Sequence, residues 1–182
     1  MGSTVGQTQA GARFDSLFEA HHTAVFRFCL RRLGPADAED AAAEVFAVAW
    51  RRLDQVPEGE PARAWLLGVA YRVVGNQFRG RRRRWRIADR LRMERSGGWT
   101  ITASDTQEGI VLEALEQLSG RDRELLRLSA WDGLSRGEIA QLIGIKENAV
   151  DQRLHRARSR LRSSFDQLQK EVAQVKPKEA SS

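Results

Sequence analysis

The stretch Leu134-Ser-Arg-Gly-Glu-Ile-Ala-Gln-Leu-Ile-Gly144, followed by Ile145-Lys-Glu-Asn-Ala-Val-Asp-Gln-Arg-Leu-His-Arg-Ala-Arg158, decides the fold. Ser135 is placed to cap a helix, and Glu138 three residues on completes a capping box. Ile139, Ala140, Leu142 and Ile143 supply that helix's apolar face. Gly144 stands where the chain must leave the helix, at positive φ and no steric cost. Ile145 and Val150 are expected to point into the core, and Leu154 and Leu161 continue the stripe along a second helix. Arg153, Arg156, Arg158, Arg160 and Arg162 follow with no acid between them. A helix, a tight turn and a basic second helix are the sequence form of a helix-turn-helix, whose second helix suits the DNA major groove.

Working outward, the pattern is helical throughout. Residues 1–12 are small and polar and read as a disordered tail. A helix is predicted from about Phe14 to Leu33, with Phe14, Leu17, Phe18, Val25, Phe26 and Cys29 inward and Gly34-Pro35 as its end. Asp37 is expected to cap a second helix over about Ala38–Leu53, with Ala41, Ala42, Val45, Phe46, Ala49 and Trp50 inward. Two prolines and a glycine make 55–61 a loop. A third helix follows over about Ala62–Arg83, with the stripe Trp65, Leu66, Val69, Ala70, Val73, Val74 and Phe78. Ser96-Gly97-Gly98 breaks the next segment, and 86–105 reads as a linker. Helices are predicted at 105–118, 120–132, 135–143 and 147–170, with 171–182 a frayed tail. The fold class is all-α: two small helical domains, 13–85 and 106–170, on a flexible connection.

The 182 residues carry a net charge of +6, which favours a polyanionic partner. The cations are mostly arginine, whose fork matches phosphates and guanine edges; GC-rich coding is an equal explanation of that bias. Charge is sorted along the chain. Residues 35–60 hold seven acids against two arginines, a net of −5, and residues 63–95 hold eleven arginines against two acids, a net of +9. A merely solvated surface would mix the signs. The sorting points to one face for a protein and another for nucleic acid. The lone Cys29 excludes an internal disulfide and fits a reducing cytoplasm. No stretch reads as a signal peptide or a bilayer span, so no membrane insertion is expected.

Three segments together resemble a known family. Asp37-Ala-Glu-Asp-Ala-Ala-Ala-Glu-Val-Phe-Ala-Val-Ala-Trp50 resembles the core-binding helix of bacterial sigma factors. Ala62-Arg-Ala-Trp-Leu-Leu-Gly-Val-Ala-Tyr-Arg-Val-Val-Gly-Asn-Gln-Phe-Arg-Gly-Arg81 is similar to their −10 promoter helix. The helix-turn-helix with Arg153-Leu-His-Arg-Ala-Arg158 is similar to their −35-reading domain. Short length and a bare linker resemble the extracytoplasmic-function (group IV) subclass. Order and spacing carry more than any one motif.

The resemblance implies a non-enzymatic RNA polymerase subunit that directs promoter recognition, melting and initiation in the cytoplasm, on the nucleoid. Its partners would be core polymerase (the beta-prime clamp and beta flap), promoter DNA and, in many relatives, an anti-sigma factor. Asp37, Asp40, Glu44, Phe46 and Trp50 would meet core polymerase, charge steering the approach and an aromatic holding it. Val56, Glu58 and Gly59 would lie in the loop that takes a flipped −10 base, with Arg63 beside it. Trp65 would be a wedge at the melting fork. Arg72, Asn76 and Gln77 would contact bases or phosphates near −12, with Arg79, Arg81, Arg82 and Arg83 on phosphate. Arg136, Lys146, Asn148, Gln152, Arg153, His155, Arg156 and Arg160 would serve the −35 element. Glu58, Glu60 and Asp151 depart from the family's usual residues. Asp151 either accepts from a cytosine, the favoured reading, or faces away and ties down Arg153 or His155.

Two other readings stand beside this one. A stand-alone helix-turn-helix regulator explains the C-terminal half but leaves the acidic helix and the Trp65 helix without a purpose. A sigma-like protein acting mainly by protein binding is suggested by the three misplaced acids. Enzymatic use of the chain finds no support: His21-His22 point to different sides of a helix, and no zinc spacing, P-loop or two-metal acid set is present. No cofactor or metal is expected.

Overall fold

The computed structural model describes residues 3–88 and 107–179. The chain divides into two compact units, Met1–Gly97 and Gly98–Ser182. Every described element is helical, and no described helix is long and apolar enough to cross a membrane.

Unit 1 is built from α1 (Ser3–Leu33), α2 (Pro35–Arg51) and α3 (Pro61–Ala88). The segment 3–12, expected to be a disordered tail, continues α1 instead. Extending an existing helix costs no new nucleus, so weak formers such as Gly6 and Gly11 can be carried along. Gly34 serves two helices. Its N–H closes α1 on the Leu30 carbonyl at 3.0 Å, and its φ of 80° turns the chain into α2. Pro35 then takes the first helical position, where its missing N–H costs nothing. Asp37 is therefore not the cap; it lies in the first turn, where its charge suits the helix dipole. Residues 89–106, most of the expected linker, lie outside the described residues, and α3 runs to Ala88, three residues into that segment.

Val25, Phe28 and Cys29 of α1 pack on the alanine-rich side of α2 (Ala38, Ala41, Ala42, Ala49) and on Leu66, Leu67 and Ala70 of α3. Small residues on α2 let the helices approach closely, and Phe28, absent from the predicted stripe, fills the centre with no exposure. Three residues expected inward are outside: Phe18 is 39% exposed, Trp50 51% and Phe78 47%. The Trp50 ring stands edge-on to Phe14 at 5.1 Å, at the rim of the bundle.

Unit 2 comprises α4 (Gln107–Gln117), α5 (Gly120–Leu126), α6 (Arg136–Ile143) and α7 (Glu147–Glu179). Ser119 caps α5 by accepting the Asp122 N–H at 3.2 Å. The helix predicted over 120–132 widens after Leu126, where Asp132 N–H reaches the Arg127 carbonyl at 2.9 Å. That wider turn leaves Trp131 43% exposed. α7 also passes its expected end at 170 and reaches Glu179. Ile110 and Ala114 of α4 pack on Leu168, Leu161 and Phe165 of α7.

Candidate nucleic-acid and protein-docking surfaces

The turn between α6 and α7 is fixed by local chemistry. Ser135 Oγ accepts the Glu138 N–H at 3.3 Å, and Glu138 Oε2 accepts the Ser135 N–H at 2.6 Å. Gly144 sits at φ 70°, and the N–H groups of Gly144 and Ile145 both reach the Ala140 carbonyl at 3.0 Å. These bonds satisfy orphan groups at both ends of α6 and set the direction of α7. Val150 and Leu154 are buried, as expected of the inward stripe; Ala157 joins them, and Ile145 and Leu161 are half-buried. Asn148, Gln152, His155 and Arg156 fall on the opposite side and are exposed; Lys146 is exposed in the turn.

Asp151 has a partner that neither sequence expectation named. Arg136 Nη1, at the start of α6, donates to its two carboxylate oxygens at 3.1 and 3.3 Å. Asp151 thus ties the two helices of the motif together through Arg136, not through Arg153 or His155. Arg160 is engaged similarly: its Nη1 lies 2.5 Å from Asp122 Oδ2 on α5. Arg153 is exposed on the flank of α7.

On α3, Trp65, Arg72, Asn76 and Arg79 stand at i, i+7, i+11 and i+14, which places them on one face. Trp65 is half-buried there, Arg72 and Asn76 are exposed, and Arg79 donates to Asn76 Oδ1. Two expected members do not join them. Gln77 falls in line with the buried Ala70 and Val73, and Arg63 lies toward His21 of α1. The helix continues through Arg81, Arg82 and Arg83, whose side chains lie outside the described residues.

The loop before α3 is held at both ends. Val56, expected at a base pocket, is 3% exposed and packs inward. Its carbonyl accepts from Arg13 Nη2 at 2.8 Å. Gly59 turns at φ 71°, and its carbonyl accepts the Ala62 N–H at 3.1 Å. Glu58 projects outward, 3.8 Å from Arg13 Nε. Arg13, His21, Glu58, Gly59 and Glu60 line an open cleft of about 440 Å³. Burial, and then the charge of Arg63, hold the His21 imidazole below its usual pKa. Sequence reasoning missed Arg13 and His21, because their partners are distant in the chain.

The outer face of α2 carries Asp37, Asp40 and Glu44 at i, i+3 and i+7, with Asp40 and Glu44 exposed. Phe46 does not share that face. It is 4% exposed, covered by Phe18 at 4.7 Å, His22 at 6.0 Å and Phe14 at 6.3 Å. What stays exposed beside the acids is Phe18, at 39%, and Trp50. Among the described residues no group of three or more His, Cys, Asp or Glu could hold a metal ion.

Comparison with known proteins agrees with this division. The Sigma-70 region 2 family matches residues 17–84, and the Sigma-70, region 4 family matches residues 108–161. The extracytoplasmic-function RNA polymerase sigma factor SigL of Mycobacterium tuberculosis is 31% identical over 160 residues, 84% of this chain and 89% of that protein. The solved sigma factor RpoE, in complex with the anti-sigma factor NepR from Bartonella quintana, has the same fold. Its TM-score is 0.67 at 23% identity, over 84% of this chain and 96% of that one. The structure of CnrH with the cytosolic domain of CnrY gives a TM-score of 0.60 at 25% identity, over 87% of this chain and 94% of that one. The chain belongs to the extracytoplasmic-function sigma factors of the sigma-70 family, promoter-recognising subunits of RNA polymerase.

Proposed function

We propose that the chain docks on core polymerase through the acidic face of α2, with Trp50 at its edge. It grips promoter DNA at two points. Asn148, Gln152, His155 and Arg156 read the −35 element in the major groove, with Lys146 and Arg153 on phosphate. Trp65, Arg72, Asn76 and Arg79 form the −10 face, where the indole stands in for a lost stacking neighbour as the duplex opens. Glu58 and Gly59 line the loop that takes the extruded base. Arg136 and Arg160 contribute mainly by holding α7 in place. The work is binding, not catalysis, and is done in the cytoplasm with polymerase on nucleoid DNA. An anti-sigma protein would cover the α1–α2 surface around Phe18 and Trp50, as a protein partner accompanies CnrH in its structure.

The observation that carries this reading is the clean sorting of α7. Val150, Leu154 and Ala157 are buried, and Asn148, Gln152, His155 and Arg156 are left together outside. Run-off transcription with purified core polymerase on a promoter library tests it. The added protein should create start sites that core polymerase alone lacks. A stand-alone regulator would instead bind duplex promoter DNA tightly without polymerase, and that result would replace this reading.

A further inference from the structure

One hydrogen bond in unit 1 joins residues 43 positions apart: Arg13 Nη2 on the first helix to the carbonyl of Val56. The same guanidinium turns its Nε toward Glu58 Oε1, 3.8 Å away. One planar fork thus faces two successive features of the loop, a backbone acceptor and an acidic side chain. Local bonds secure the loop's two ends. Val56 N–H reaches the Leu53 carbonyl at 3.2 Å, and Ala62 N–H reaches the Gly59 carbonyl at 3.1 Å. Between those ends Pro57 and Glu58 are exposed. The bond from Arg13 ties this stretch to α1.

We propose that Arg13 is a positioning residue for the Val56–Glu60 loop, holding it in the shape that accepts one −10 base and tempering the charge of Glu58 toward DNA. This rests on the promoter reading given above. Arg13 need not touch DNA. Its hydrogen bond to the Val56 carbonyl fixes the start of the stretch that carries Glu58, and a carboxylate can accept from an exocyclic amino group only from a defined position. It also offsets part of the repulsion that an exposed acid exerts on phosphate. Lysine cannot replace it, because a point ammonium on a flexible stem does not span both acceptors.

The test uses the full chain assembled with core polymerase and a promoter library randomised across both elements. Arg13→Met should flatten the preference at one −10 position by roughly fivefold or more, the size expected for losing a charged donor. Preference across the −35 element and affinity for core polymerase should stay as in the wild type. Should Arg13→Met unfold unit 1, Arg13→Lys carries the same test and should also lose the preference. A loss by one common factor on all promoters, or an unchanged −10 preference, overturns the proposal. Hydrogen exchange separates its failure from failure of the promoter reading. In the free protein the 58–60 amides should exchange faster in Arg13→Met, whatever DNA the chain prefers, and unchanged exchange overturns the clamp itself.

Discussion

Acids sit at the margin of both surfaces proposed to face DNA, and the two units treat them differently. In unit 2, Asp151 and Asp122 each take a guanidinium, from Arg136 and Arg160, so the charge is answered within the fold. In unit 1, Glu58 remains 87% exposed with Arg13 at the edge of ion-pair range, and Glu60 is exposed as well. α7 is thus tied to α6 and α5 by pairs formed within unit 2 itself. The loop ahead of α3 keeps unspent charge, which costs affinity for phosphate and is tolerable where selection matters more than grip. The contrast gives Asp151 a partner within the fold, where Glu58 and Glu60 stay largely exposed.

The two units should unfold independently of one another, and the largest expected effect is read there. Phe28→Ala empties a fully buried site and should cost unit 1 about 3–5 kcal/mol. Urea unfolding followed by circular dichroism should then show the unit 1 transition moved and the unit 2 transition unmoved. Transitions that move together would break the comparison.

A pH titration should also act on unit 1 alone. Burial raises the Cys29 thiol from its ordinary value near 9.0 to about 11, with Arg32 opposing. The folded state therefore holds this proton more tightly than the unfolded chain. The resulting stability is fully present below pH 9 and is lost as pH rises toward 11, by at most about 3 kcal/mol. Cys29→Ala should remove that slope.

In unit 2 the expected effects are smaller. Ser135→Ala removes the cap of α6 and should cost about 1 kcal/mol in thermal unfolding. Asp151→Ala breaks a half-exposed pair and should cost less than about 1 kcal/mol. Its informative effect is on DNA. Freed from Asp151, Arg136 should strengthen binding by the same factor on every −35 sequence in a library. A shift in preference at one base pair would mean that Asp151 reads a base after all, and the contrast between the units would collapse.

What could be read from sequence was what depends on near neighbours. Ser135, Glu138 and Gly144 lie within ten residues of one another, and their geometry follows from helix chemistry alone. The all-α class and the inward stripe of α7 followed from periodicity. Capping by Asp37 failed because Gly34 and Pro35 start α2 earlier, a competition between two valid local signals. Phe18, Trp50 and Phe78 were misjudged because apolar spacing tells which residues share a face, not whether a neighbouring helix covers it. The Arg13–Val56, Arg160–Asp122 and Arg136–Asp151 contacts had no local signature at all. Each depends on helices meeting in space, so the partners of these arginines emerge only from the fold.

The proposed function requires a division of labour between the α7 face and the α3 face. The direct measurement is to score −35 base preference and strand opening separately, by promoter library and by permanganate reactivity, in polymerase carrying Gln152→Ala or Trp65→Ala. Gln152→Ala should redistribute the −35 preference and leave opening intact. Trp65→Ala should keep the −35 preference and lose opening by about tenfold, the worth of one stacking contact. If both variants produce the same single defect, the two surfaces are not separate readers and the account is wrong.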